Sequence, residues 1–161
     1  MPVIPLDKVG EVVQCQTCKV RFDPVVLQQP TSAQLATALP TGMRAAVVAV
    51  LRAGGTSDLA VTAAVAAVRS AGAQGYDLPQ LQADLAQPAD AVVEPLRALG
   101  ANLTLDARER YLADAARVGL ADGSLSPAER DALGWIASTL GLTPAHALGV
   151  ITTVEQSARL G

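Results

Sequence analysis

Apolar residues recur at helical spacing through most of the chain. Met43, Ala46, Val47, Val50 and Leu51 fall on one face, and Val61, Ala64, Val65 and Val68 on the next. The small-residue stretch "AGGTS" (53–57) ends the first of these helices and lets the second begin. From residue 40 onward the period stays helical. A shorter helix is expected around 78–86 and another from Pro88 to Leu99. Asp106 opens "DARERYLADAARVGLA" with Glu109 three residues on, the pattern of a capping box. Ser126 reads as the N-cap of "SPAERDALGWIASTLG", with Pro127 at the first helical position. Leu133, Ile136, Ala137 and Leu140 form the buried stripe of that helix, and Gly141 ends it. Thr143 and Pro144 repeat the opening for a last helix whose core face is Ala147, Val150, Ile151 and Val154. The expected body is mainly α, a compact bundle of about seven helices.

The first 28 residues follow another rule. "PVIPL" and "GEVVQC" are short β-rich runs separated by "DKVG", which reads as a turn. A small hairpin is expected there, leading into the C-x-x-C of Cys15 and Cys18, with "QQPTS" (28–32) as the boundary. This gives a β segment over 1–28 and an all-α domain over 29–161. Within the α part, 53–68 and 121–136 share an order of small loop followed by helix. Lining Gly55 up with Gly123 pairs Gly54 with Asp122 and Val61 with Glu129. The bundle therefore reads as two related halves, the first without acidic residues in its loop.

Composition narrows the functions open to such a bundle. Half of the residues are apolar, but the chain has one Phe, one Trp and two Tyr. That leaves no aromatic platform for stacking bases. The net charge is −3, and the basic residues are scattered, so no phosphate-binding stripe is visible. No uninterrupted apolar run is long enough for a membrane span, and "MPVIPLDK" lacks the features of a signal peptide. Two cysteines three apart suit a reducing compartment, with the cytoplasm the expected location, and a metal or redox role over a disulfide framework.

"ADGSLSPAE" (121–129) carries the most chemistry in the helical part. Asp122–Gly123, Leu125 and Glu129 have the spacing of the second half of an EF-hand loop, so Asp122 and Glu129 are candidate ligands for Ca²⁺ or Mg²⁺. Val118 and Leu120 stand where the first carboxylates of such a loop belong. The second reading is purely structural: Ser126-x-x-Glu129 is a capping box and Asp-Gly a good turn.

The run "YLADAARVGLADGSLSPAERDALGWIASTLGLTPAHALGVI" resembles the C-terminal half of the tellurite-resistance TerB-like family. The shared pattern is an "ADG-x-[apolar]-S-x-x-E" helix–loop–helix, an apolar helix ending in "LGL" and another opening with "TP". The likeness extends over residues 35–158. It implies an all-helical domain of two related halves, linked to stress response, that holds metal through clustered acidic residues. Only Asp122 and Glu129 match that acidic motif; Gly54 and Val61, their counterparts in the first loop, do not.

"PVIPLDKVGEVVQCQTCKVRFD" resembles the second half of a zinc ribbon, in which a first C-x-x-C lies upstream of the strand matching "PVIPL". The resemblance implies that Cys15 and Cys18 form half of a zinc site, and the expected explanation is that the first knuckle is missing from the start of the chain. Structural zinc takes four protein ligands. Two chains pooling their cysteines in a homodimer, a redox pair, or no ligand at all are the alternatives. His146, third in its helix, is expected to be solvated or to help cap.

No catalytic constellation emerges. There is no phosphate-cradling Gly loop and no G-x-S-x-G, and there is a single His. Asp106 and Arg110 have the spacing of a solvated i,i+4 pair. Arg108, Arg110 and Arg117 are expected on the surface, and Trp135 in the core beside Leu133 and Ile136. The expected function is a non-enzymatic module acting through protein contacts and divalent cations. The alternative is a zinc-ribbon adaptor associated with nucleic acid, with Lys19 and Arg21 following the knuckle.

Overall fold

Helix α1 (Ser32–Gly54) runs through the middle of the bundle and packs against α2 (Asp58–Ser70), α3 (Leu78–Leu85), α4 (Val93–Asn102), α5 (Leu105–Gly119) and α6 (Pro127–Thr139). The last helix, α7 (Pro144–Leu160), lies on α5 and α6. This computed structural model describes residues 6–9, 12–23 and 30–160. The chain separates into two units, 1–31 and 32–161. The larger is the expected all-α bundle, with seven helices among the described residues.

Length and apolar composition would let α1 cross a membrane. Its apolar run is instead the centre of the core: Met43, Ala46, Val47, Val48, Val50 and Leu51 are all buried against the surrounding helices. The helix begins two turns before residue 40, where the apolar period starts. Its first turns are largely exposed, so they carry no amphipathic signal, and they continue through Pro40. A proline there removes one i→i−4 bond. The Thr41 hydroxyl donates to the Thr37 carbonyl at 2.8 Å, and the buried Tyr111 hydroxyl donates to the Leu39 carbonyl at 3.0 Å.

Caps place most of the other helices. Ser57 caps α2, and Asp77 forms a full capping box with Gln80 at the start of α3. The helix expected from Pro88 begins as a 3₁₀ turn (Ala89–Val92) before α4 takes over. The cap of α5 is Thr104, whose Oγ1 accepts from the Ala107 N–H. Asp106 is therefore already inside the first turn, and the expected box with Glu109 does not form. Ser126 and Glu129 do form theirs, with Pro127 behind them. At the far end of α6, Gly141 takes φ +79°, and Leu142 N–H reaches back to Ala137 O, a Schellman-type stop.

Two side chains sit elsewhere than expected. Trp135 is 38% exposed, because it lies on the side of α6 away from the stripe of Leu133, Ile136 and Ala137. Arg108 is half-buried rather than a surface charge: its guanidinium donates to Leu103 O (3.0 Å) and Gly141 O (3.3 Å), tying two turns together. A network without a sequence signature joins α1 to α3. Arg44 grips Asp84 with two nitrogens and lies over the Tyr76 ring, while the Tyr76 hydroxyl donates to Asp84 at 2.6 Å. Burial pushes the Tyr76 hydroxyl up. Burial also opposes ionisation of Asp84, but the Arg44 and Tyr76 hydrogen bonds outweigh it and hold that carboxyl below its ordinary value.

The N-terminal unit is a three-stranded antiparallel sheet in the order β1 (Leu6–Val9), β2 (Val12–Cys15), β3 (Arg21–Phe22). The hairpin is present, but with a shifted frame: Asp7 and Lys8 are in β1, paired with Gln14 and Val13, not in a turn. The close Val9–Val12 pairing sets that register and leaves no room for a turn at "DKVG". The start of "PVIPL" lies outside the described residues.

Candidate functional site

The loop after α1 and the loop after α5 meet, and the two acidic candidates lie where they touch. Asp122 ends a 3₁₀ turn (Leu120–Asp122), and its Oδ2 accepts a hydrogen bond of 2.5 Å from the Ser57 hydroxyl, 65 residues away in sequence. Ser57 Oγ in turn accepts from the Ala60 N–H at 3.1 Å, so that hydroxyl both donates and accepts. Glu129 is buried, 7% exposed. Its Oε2 accepts from the Ser126 N–H at 2.8 Å. The rest of its carboxylate lies between Gly54 and Gly119: a Cβ at Gly54 would overlap it outright, and one at Gly119 would come within 3.3 Å of Oε1. Leu125 is buried beside them.

The caps also correct the frame of the duplication. Ser57 and Ser126 occupy the same N-cap role, so Glu129 corresponds to Ala60 rather than Val61. Counted from the positive-φ residues Gly55 (+101°) and Gly123 (+149°), the first loop is one residue shorter. Neither frame supplies a carboxylate from the first loop. Among the described residues, no three His, Cys, Asp or Glu side chains group as metal ligands. A hard cation takes six or more oxygens. Here one carboxylate already serves a hydroxyl and the other a helix cap, so this donor set does not fit one.

A second feature is a cleft of about 880 Å³ along α5 and α7. One wall carries Asp106, Glu109, Arg110 and Arg117; the other, on α7, sets His146, Val150 and Val154 among small residues such as Ala145 and Gly149. The charges answer one another: Arg110 pairs with Asp106 at 2.9 Å, and Arg117 with Asp114 at 2.5 Å. His146 is half solvated, yet its Nδ1 is buried 3.2 Å from Glu109 Oε1, close enough for an ion pair but without hydrogen-bond alignment. Its backbone N–H goes to Thr143 Oγ1 at 3.3 Å. Sequence spacing could not bring Glu109 and His146 together, because their helices are separated by the whole of α6.

In the N-terminal unit, β2 runs into a tight turn that carries both thiols. Cys15 N–H donates to Val20 O and Lys19 N–H to Cys15 O, each at 2.9 Å, and Lys19 takes φ +61°. Cys15 is buried and Cys18 exposed; neither is in a disulfide. The backbone N–H of Cys18, then that of Thr17, hold the Cys15 thiol below its ordinary value. Amide hydrogens aimed at sulfur in a C-x-x-C turn suit a thiolate that ligates a metal, so the residues fit half of a tetrahedral site. The chain's other soft ligand, His146, belongs to α7 in the larger unit.

An all-α bundle whose paired helix–loop–helix elements meet loop to loop defines the class. Residues 43–148, more than half of the chain, match the family described as tellurite resistance protein TerB, and the chain belongs to that family. No curated protein and no solved structure matches it.

Proposed function

We propose that this TerB-family chain is a non-enzymatic module that works in the cytoplasm by holding a partner protein in the α5–α7 cleft. The observation that supports this reading is the pairing of the charges along that cleft. Asp106 with Arg110, and Arg117 with Asp114, form ion pairs along α5 rather than converging on one point where a substrate atom could react. The small residues Ala145 and Gly149 at one end of the α7 wall leave room there for a helix of the partner to approach closely.

Gly149 offers a clean test, because a side chain there meets open space and the bundle need not shift. Gly149→Leu is expected to leave the melting temperature within about 3 °C of native, since a helix-favouring residue replaces glycine. It should weaken capture of the partner by at least about tenfold, on the order of 1.4 kcal/mol. Affinity capture from tellurite-stressed and unstressed cells, native against variant, reads the result. Equal capture by both would remove the cleft from the reading, and hydrolysis by the pure protein with added Mg²⁺ would remove the non-enzymatic part.

The knuckle is proposed to bind zinc through Cys15 and Cys18, with two further ligands from outside the hairpin, such as the same pair in a second copy. Purified chain is expected to carry zinc that is lost in Cys15→Ser and Cys18→Ser while the helical circular dichroism is kept. Elemental analysis beside the mass in solution checks this, and zinc-free native protein would refute it. Lys19, Val20 and Arg21 are all exposed beside the knuckle, which supports contact with nucleic acid as a second reading. Salt-dependent retention on nucleic acid distinguishes it from the first.

A further inference from the structure

We propose that the two loops of this domain are closed by a latch made of protein alone, Ser57 to Asp122 with Glu129 seated between Gly54 and Gly119, so that the domain holds its two halves together without a divalent cation. The acidic spacing of "ADGSLSPAE" points to a cation loop; the packing around it points elsewhere.

Three observations converge. Ser57 and Asp122 join loops 65 residues apart through one short hydrogen bond, and the same hydroxyl caps α2. Glu129 is buried and bound to the Ser126 N–H, so turning it toward a cation would orphan that donor at the start of α6. The two glycines flanking it are what admit it. A Cβ at Gly54 would lie 2.7 Å from Glu129 Cγ, and one at Gly119 would also press on Leu125 at 2.7 Å. A side chain at position 54, the place where the first loop would contribute a ligand, and the observed seat of Glu129 are mutually exclusive. Both carboxylates thus already serve the chain, Asp122 through Oδ2 and Glu129 through Oε2.

The test is a double-mutant cycle joined to a cation titration on the full chain, with zinc content held constant. Asp122→Ala is expected to lower the melting temperature by about 3 °C in the native background and by less than about 1 °C in the Ser57→Ala background, because the partner is then already gone. Addition of 5 mM Ca²⁺ or Mg²⁺ (on the order of saturating for weak oxygen sites) should shift the native melt by less than about 1 °C. Equal effects of Asp122→Ala in both backgrounds would show that the two side chains are uncoupled and overturn the latch. A rise of more than about 3 °C with either cation, abolished in Glu129→Gln, would restore the cation loop and overturn it equally. Ser57 and Asp122 are both exposed positions, so these variants fold.

Discussion

Replacing Gly100 by alanine lowers the melting temperature of the helical unit by about 7 °C, although alanine is the better helix former. Gly100 is buried in α4, where that helix crosses the end of α6. A Cβ there would lie 2.8 Å from both Cα and the carbonyl oxygen of Leu140. The obstacle is backbone, which has no rotamer to change, so α4 and the end of α6 must move apart. That separation loosens Leu96, Leu99 and Leu140, all of them buried. Overpacking costs about 1–3 kcal/mol, and a backbone obstacle belongs at the upper end. The gain in propensity is roughly 1 kcal/mol at most, so the clash wins. Gly134→Ala is the matching control: its added methyl meets open space, and the variant should melt at or above the native temperature. Melting curves of the three proteins decide the matter; an unchanged curve for Gly100→Ala would mean that the helices are not in such close contact.

Leu112→Ala should have a comparable or larger effect, about 3–5 kcal/mol. Leu112 is fully buried on α5, which packs against α1, α2, α6 and α7. The lost side chain leaves a cavity inside a bundle whose helices hold one another in place, so the site collapses poorly. Denaturation in urea should show a lower midpoint with an unchanged slope, the sign of lost stability without a change in the surface exposed. The zinc proposed at Cys15 and Cys18 should not be lost with the Leu112 side chain, because those residues belong to the other unit. Loss of zinc in this variant would show that the knuckle depends on the bundle.

These effects bear on what could be read in advance. The stripes of α6 and α7 and the Ser126–Glu129 cap were legible because each is local: three or four residues set the period, and the cap closes within one turn. The misreadings have equally physical causes. Thr104 displaced Asp106 as a cap because both are good caps two residues apart. The start of α1 was hidden because its first turns face solvent. Trp135 shows that lying next to a core stripe in sequence is not lying on it. The Ser57–Asp122 contact, the seat of Glu129 and the Glu109–His146 pair depend on helices brought together across long separations, and no periodicity encodes them. The family pattern points to the "ADGSLSPAE" loop, but only the packing shows Glu129 seated between Gly54 and Gly119.

The central position of α1 has a consequence for synthesis. This helix is the one helix among the described residues long and apolar enough to span a membrane, and it is made before the cover supplied by α5 and α6, residues 105–139. At ribosomal rates of roughly 5–20 residues per second, the nascent chain carries this sticky surface uncovered for several seconds or more. During that interval the uncovered face is the kind of transiently exposed apolar surface that makes a nascent chain prone to aggregate.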